Sequence, residues 1–173
     1  GAVARFGGLA LQANPATRIF LYETWPDLAA SGLPWRERID HDLPLWEGLV
    51  RQTSAKLGHP VTLIPAGQAM AHLDDAIAAG RIAGLRDIRD VFADSSVPNA
   101  KGWYFLTMLH AAAITGKSPV GLPAKLTRSW ASRDAVISDD LAAGLQTVAW
   151  ETLQSYVPAA APPDEAAAAL EPA

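Results

Sequence analysis

The stretch Val61-Thr62-Leu63-Ile64-Pro65-Ala66-Gly67-Gln68-Ala69 passes from a short apolar run directly into a helical pattern. The run has the length and the β-branched content of a buried strand, and Pro65 stands at its end, where the sheet needs no backbone donor. From residue 66 to residue 79 apolar side chains recur at helical spacing, and Gly80 predicts the end of that helix. The stretch therefore predicts a strand that is followed at once by a helix.

A second β-prone apolar run covers residues 17–22, upstream of this unit. Helical patterns are predicted on either side of the two runs, over residues 2–13, 35–57, 99–115 and 134–156. Pro44 lies inside the second of these patterns, and because proline removes a backbone hydrogen bond we expect it to split or kink that helix. The alternation of helices and strands predicts an α/β fold with a parallel sheet.

Two strands are too few for such a sheet, since a parallel sheet is normally buried on both faces and contains more strands. The missing strands would have to lie in a missing N-terminal half, upstream of Gly1, or in a partner chain. The chain opens with Gly1 rather than Met and enters a helical pattern at once. We therefore interpret it as a fragment, with a processed N-terminus as the alternative.

The composition of the 173 residues is that of a globular chain, with 50% hydrophobic and 18% charged residues. The net charge of −4 and the lack of a Lys/Arg cluster argue against a nucleic-acid partner. No apolar run reaches the roughly 18–20 residues of a membrane span, so no membrane partner is expected. Without cysteine, thiolate catalysis and disulfides are excluded. We predict one domain over residues 1–156 and a disordered Ala/Pro-rich tail over residues 157–173.

Residues 91–105 read Val-Phe-Ala-Asp-Ser-Ser-Val-Pro-Asn-Ala-Lys-Gly-Trp-Tyr-Phe. An aspartate is followed by a short loop and by a helix that opens with a glycine and aromatic residues. This stretch resembles the last conserved block of the SGNH (GDSL-type) hydrolases, where Asp-x-x-His supplies two members of a serine triad. By that resemblance Asp94 takes the position of the triad acid, and Val97 takes the position of the missing triad histidine.

Further stretches resemble a bacterial subgroup of these proteins, namely residues 14–15, 19–25, 64–69, 117–123 and 146–151. The resemblance implies a flavodoxin-like three-layer α/β sandwich of the SGNH hydrolase type, of which this chain would hold the C-terminal portion. The N-terminal strands and the Gly-Asp/Asn-Ser nucleophile block are absent from it, and so is the Gly-x-Asn-Asp block that supplies oxyanion donors. It also implies a location in the bacterial cytoplasm or periplasm.

The activity that the resemblance implies is ester or acetyl-ester hydrolysis, on a carbohydrate or another small acylated substrate. A serine hydroxyl needs a base to take its proton, and the side chain of Val97 cannot act as one. We therefore expect little or no hydrolase activity from this chain. The alternative is a non-catalytic module that holds a ligand such as a glycan, and a degenerate gene product is the third interpretation.

Asp94 has a second interpretation, because Asp commonly caps a turn by accepting backbone N–H bonds. In either case we expect its carboxylate to bond amides of the 95–99 loop, and the Val97 side chain to face away from the core. Glu23, Thr24 and Trp25 follow a strand at its carboxyl end, where ligands bind in open α/β sheets, and are predicted binding residues. For Glu23 and Thr24, a hydrogen bond to the Asp94 loop is the alternative.

No cofactor or metal is expected. His72 lies beside Asp74 and Asp75, but this spacing does not gather three ligands on one helical face, so a solvated face is the better interpretation. His110 is interpreted as a packed helix residue. The six tryptophans include Trp25, and core packing is the preferred explanation for most of them, with sugar stacking as the alternative.

Overall fold

The structure is a computed structural model that describes residues 1–125 and 137–158. The elements in these ranges are α1 (Ala2–Ala13), β1 (Ile19–Tyr22), α2 (Trp35–Leu57), β2 (Val61–Ile64), α3 (Ala66–Ala78), a 3-10 helix (Ile88–Val91), α4 (Ala100–Thr115) and α5 (Asp139–Ser155). The described residues divide into two compact units. We call Gly1–Glu23 with Asp40–Ile64, Val157 and Pro158 the sheet unit, and the described part of Thr24–Ile39 with Pro65–Tyr156 the helical unit.

The sheet unit contains a parallel pair of strands, β1 and β2, whose register runs from Ile19 opposite Val61 to Tyr22 opposite Ile64. Three of the four β2 side chains are buried, as the continuous apolar run predicts. The amide of Glu23 donates to the Ile64 carbonyl at 3.1 Å and extends the pairing by one residue. The prediction that the two apolar runs form adjacent parallel strands is confirmed.

The sheet unit also contains two helices, α1 and the part of α2 from Asp40 onward. At Gly7 a Cβ would come within 2.9 Å of Leu57 and 3.1 Å of Ile19, so a larger residue would push both side chains aside. Helix α2 continues past Pro44 as one helix of 23 residues, so Pro44 does not split it, and a kink stays the other expectation. Proline costs a helix interior about 3 kcal/mol, which the rest of this long helix can offset.

The helical unit is built on α3, α4 and α5. The largest fully buried side chains that these helices contribute are Met70, Leu73, Phe105, Leu106, Met108, Leu109, Leu145, Val148 and Thr152. Asn99 caps α4, since its Oδ1 accepts from the amides of Lys101 and Gly102, and Ser138 caps α5 in the same way. Gly116, with φ of 68°, ends α4 in the left-handed conformation that favours glycine.

The predicted flavodoxin-like three-layer sandwich of the SGNH hydrolase type is wrong. Helices make up 58% of the described residues, in five α-helices and one 3-10 helix, and the sheet there has two strands. A pair of strands offers too little surface to separate two helical layers. Instead, helices α3, α4 and α5 bury their apolar side chains in a packed group of helices.

Three sequence expectations fall wholly or partly on residues outside the described ranges. The predicted disordered tail begins with Val157 and Pro158, which are described, and then continues outside. Helix α5 starts at Asp139 rather than at the predicted residue 134, and residues 134–136 are outside. In the described part of the chain, no helix is long and apolar enough to cross a membrane.

Candidate functional site

Asp94 closes a tight turn in the helical unit. Its Oδ1 accepts the amides of Ser96 and Val97, both at 2.7 Å, and the Ser96 hydroxyl at 3.3 Å. The predicted hydrogen bonds to amides of the 95–99 loop are thus confirmed. The Val97 amide and then the Ser96 amide hold the pKa of the exposed Asp94 carboxyl below its usual value. The side chain therefore performs the capping role, while its Oδ2 has no partner among the described residues.

The backbone around this turn forms a narrow loop. The amide of Ala93 donates to the Val97 carbonyl at 2.7 Å, and Phe92 and Pro98 form an antiparallel bridge. Asn99 then ties the loop to the start of α4, because its side-chain amide donates to the Phe92 carbonyl at 3.1 Å. The loop is thus held at both ends before the helix begins.

A second loop of the helical unit, residues 24–28, is bonded to the Asp94 turn. The indole N–H of Trp25 donates to the Ser96 carbonyl at 3.1 Å, and the Leu28 amide donates to the Ser95 carbonyl at 2.7 Å. The Trp25 ring also meets Phe92 edge-on, with centroids 6.0 Å apart. The sequence predicted that Trp25 binds a ligand. In the structure, its indole N–H already donates to a carbonyl of the Asp94 turn.

Asp27 adds a second carboxylate to these two loops. Its Oδ2 accepts the Ser95 hydroxyl at 2.6 Å, and its Oδ1 accepts the Ala29 amide at 2.6 Å. The Ser95 hydroxyl, followed by the Ala29 amide, lowers the pKa of Asp27, although the nearby charge of Asp94 acts to raise it. Both carboxylates are therefore ionised at neutral pH and offer hydrogen-bond acceptors rather than an acid.

Position 97, where the resemblance to SGNH hydrolases leads us to expect a histidine, is open to solvent. Val97 is 46% exposed, as expected for a side chain that faces away from the core. Among the described residues, Asp94 has no histidine partner. His110 instead pairs its Nδ1 with the Leu106 carbonyl at 2.7 Å, one helical turn back. Among the described residues, the arrangement thus places the Asp94 carboxylate beside position 97 and no imidazole there.

The other two predicted binding residues lie in different units. Glu23 directly follows β1 in the sheet unit and is 1% exposed, whereas Thr24 is exposed in the helical unit. Burial, followed by the charge of Glu23, raises the pKa of Tyr22 to about 12. Glu23 is thus buried in the sheet unit, and its predicted role in binding stays a prediction.

Sequence reasoning missed a buried polar network in which Gln146 holds the loop after α4. Its Oε1 accepts the Gly121 amide at 2.9 Å, and its Nε2 donates to the Leu122 carbonyl at 2.7 Å and to the Tyr104 hydroxyl at 2.6 Å. The Tyr104 hydroxyl in turn donates to the Pro123 carbonyl at 3.1 Å. A glutamine among the apolar residues of α5 was the available signal. Two of the stretches that resemble SGNH hydrolases, residues 117–123 and 146–151, are thus joined by these hydrogen bonds.

The metal interpretation of the residues around His72 finds no support in the structure. Nδ1 of His72 pairs with the Thr152 hydroxyl at 3.1 Å, and Asp75 forms an ion pair with Arg36 at 2.9 Å. Within residues 1–125 and 137–158, no group of three or more His, Asp or Glu side chains could hold a metal ion.

Comparisons with known proteins find no matching family model, no matching curated protein and no matching solved structure. The resemblance to SGNH hydrolases therefore rests on the residues of this chain alone.

Proposed function

We propose that this chain carries the acid-bearing part of an SGNH-like serine ester hydrolase site and has little or no hydrolase activity by itself. The observation that carries the proposal is the Asp94 turn. Asp94 uses one oxygen on the amides of Ser96 and Val97 and keeps the other available beside position 97. A histidine at that position would find its orienting carboxylate already in place.

The chemistry of the turn explains the expected loss of activity. In a serine triad, the histidine removes the proton of the serine hydroxyl, and the aspartate fixes the tautomer of the histidine. Valine has no lone pair and cannot take that proton, so Asp94 has no base to orient. General-base assistance contributes about 10²–10⁴-fold to such reactions. The family's nucleophile block is also absent from the 173 residues.

Incubation of the purified chain with p-nitrophenyl acetate tests the proposal. We expect release of p-nitrophenol at the rate of the buffer alone, with no change when a serine-directed phosphonate is added. Turnover well above the buffer rate that the phosphonate abolishes would contradict it. The Asp94→Asn variant is the matched control, and it should hydrolyse the ester at the same low rate as the parent chain.

Non-catalytic glycan binding is the second candidate, and one observation favours it. Trp103, in the first turn of α4, is 44% exposed, although most of the large apolar side chains of this helix are buried. An exposed indole ring is a surface on which a sugar ring can stack. Titration with an acetylated xylan should change the tryptophan fluorescence of the parent chain but not that of Trp103→Ala. An unchanged signal in the parent chain would remove this candidate.

A further inference from the structure

Each strand of the sheet unit has one edge that faces away from the other strand. In a parallel pair, alternate residues of a strand direct their amide and carbonyl to the same neighbour. The Glu23 amide donates to the Ile64 carbonyl, so the residues two and four positions before Glu23 also point to β2. Phe20 then directs its amide and its carbonyl away from β2. Among the described residues, these two groups of Phe20 have no hydrogen-bond partner.

The outer edge of β2 is protected to a greater extent than that of β1. The Val61 amide, which points away from β1, donates to the Ser54 hydroxyl at 3.1 Å, so the end of α2 lies beside β2. Three of the four side chains of β2 are buried, whereas in β1 only Leu21 is. The open edge of the sheet unit is therefore that of β1, and an open edge is a template for pairing with another chain.

Helix α1 turns one side toward this open edge. An added Cβ at Gly7 would contact both Leu57 of α2 and Ile19 of β1, whereas at Gly8 its nearest neighbour is Leu57. Since successive helical residues turn by about 100°, Gly8 marks the side of α1 that faces α2, and Phe6 lies on the opposite side. Phe6 thus points away from α2 and β2, over the open edge of β1, and it is 67% exposed.

The side of α1 that carries Phe6 is apolar. Val3 and Ala10 lie between Phe6 and Gly7 around the helix, and Val3 is 36% exposed. A helix that is apolar on nearly all sides is normally buried, but among the 12 residues of α1 Gly7 is the one that is buried. Exposed apolar surface beside an open strand edge is typical of a protein–protein contact.

The charge at this surface indicates the chemistry of the partner. Residues 1–22 contain Arg5 and Arg18 and no Asp or Glu, although the whole chain has a net charge of −4. The Arg18 guanidinium lies 4.8 Å from the centre of the Phe20 ring, and so beside the open edge. A second copy of this chain would bring the same two arginines to the contact, and like charges opposite each other are unfavourable. A partner with an acidic side chain is complementary.

We propose that the open edge of β1 and the Phe6 side of α1 bind an extended, apolar segment of another polypeptide that carries an acidic side chain near Arg18. The segment adds a strand to the sheet by pairing with the amide and carbonyl of Phe20. Its apolar side chains pack against Phe6 and Val3. This surface belongs to the sheet unit, and the proposal does not depend on the Asp94 turn.

Titration of the full chain with the capped peptide acetyl-Asp-Val-Thr-Val-Thr-Val-amide tests the proposal, with hydrogen exchange read at the Phe20 amide. We expect saturable binding, and exchange of the Phe20 amide slowed by about tenfold or more in the complex. The control peptide acetyl-Asp-Val-Thr-Pro-Thr-Val-amide lacks a central N–H and should not bind. Equal binding of the two peptides, or unchanged exchange at Phe20, would overturn the proposal.

Two serine variants assign the binding to the Phe6 side of α1. Phe6→Ser should weaken peptide binding about tenfold or more, because it removes the largest apolar contact of the helix. Leu45→Ser removes a side chain that is 68% exposed from α2 and is the matched control, with unchanged affinity. Equal losses in both variants would mean that the peptide adsorbs to any apolar surface, and the site would be disproved.

The charge of the partner and the identity of the occupant have their own tests. Arg18→Glu should reverse the preference, so that a peptide with Lys in place of Asp binds more tightly than the original. The same preference in the parent chain and in this variant would contradict the acidic partner. Sedimentation should show the parent chain as a monomer. A dimer that Phe6→Ser dissociates would make a second copy the occupant and overturn the proposal.

Discussion

Gln146 Nε2 lies 2.6 Å from the hydroxyl oxygen of Tyr104, and both residues are 2% exposed. The pair connects α5 to α4 and, through the Gly121 amide and the Leu122 carbonyl, holds residues 121 and 122 of the segment that follows α4. Buried polar networks of this kind stabilise a fold only when each member has its partner.

Gln146→Leu should therefore destabilise the helical unit by about 3 kcal/mol. The substitution removes three hydrogen bonds and leaves the Gly121 amide, the Leu122 carbonyl and the Tyr104 hydroxyl without this partner, at about 1–3 kcal/mol for each group that stays buried. Urea unfolding followed by circular dichroism measures the loss. Thr147→Ala, at the next and exposed position, is the control and should change stability by less than about 0.5 kcal/mol. Equal effects of the two variants would mean that the network contributes little.

Gly102 should not tolerate a side chain. An added Cβ would come within 2.3 Å of the Val91 carbonyl oxygen and 2.8 Å of Pro98, where backbone cannot move aside easily. Gly102→Ala is therefore expected to lower stability by about 2 kcal/mol or more, despite the better helix propensity of alanine. Thermal unfolding of the variant measures the loss.

The control for that measurement is Gly8→Ala in α1, where the nearest atom to an added Cβ is 3.9 Å away. It should be neutral or stabilising by up to about 1 kcal/mol. A neutral Gly102→Ala would show that α4 does not approach the 3-10 helix as closely as described.

Tyr22 should make stability depend on pH in the alkaline range. Its folded pKa is raised to about 12, against about 10 for a free tyrosine, first by burial and then by the charge of Glu23. A raised pKa contributes stability that is fully present below pH 10 and is lost as the pH rises through 12. Tyr22→Phe should lose less stability between pH 10 and pH 12 than the parent chain. Identical alkaline profiles in denaturant titrations would contradict the burial of this hydroxyl.

The local elements were predictable because their signals lie in neighbouring residues. The apolar runs around Leu21 and Leu63, the cap at Asn99 and the stop at Gly116 each act within a few positions. The bonding of Asp94 to its own loop was predictable for the same reason, since an Asp side chain reaches amides two and three residues ahead.

The layered architecture was not predictable in this way, and the expected sandwich is wrong. It depended on strands that the described residues do not contain, whereas the burial of α3, α4 and α5 against one another depends on long-range packing. The hydrogen bonds of Gln146 were missed because its partners lie 24 to 42 positions away in the sequence. The bond from Trp25 to Ser96 was not predictable either, because it spans 71 positions and leaves no local signal.

The central claim is that Asp94 and Val97 form a triad block without its base, and the Val97→His variant tests it. The free Oδ2 of Asp94 should accept a hydrogen bond from the introduced imidazole and stabilise its protonated form. Nothing else in the turn needs to change, since the backbone amide of residue 97 already bonds to Oδ1.

The decisive measurement is the pKa of the introduced imidazole, obtained by NMR titration of Val97→His and of the double variant Asp94→Asn/Val97→His. We predict a value about one unit above the ordinary 6.5 in the single variant, and a return to about 6.5 when Asp94 is neutralised. The same pKa in both variants would show that Asp94 does not orient a base at position 97, and the turn would then be a cap alone.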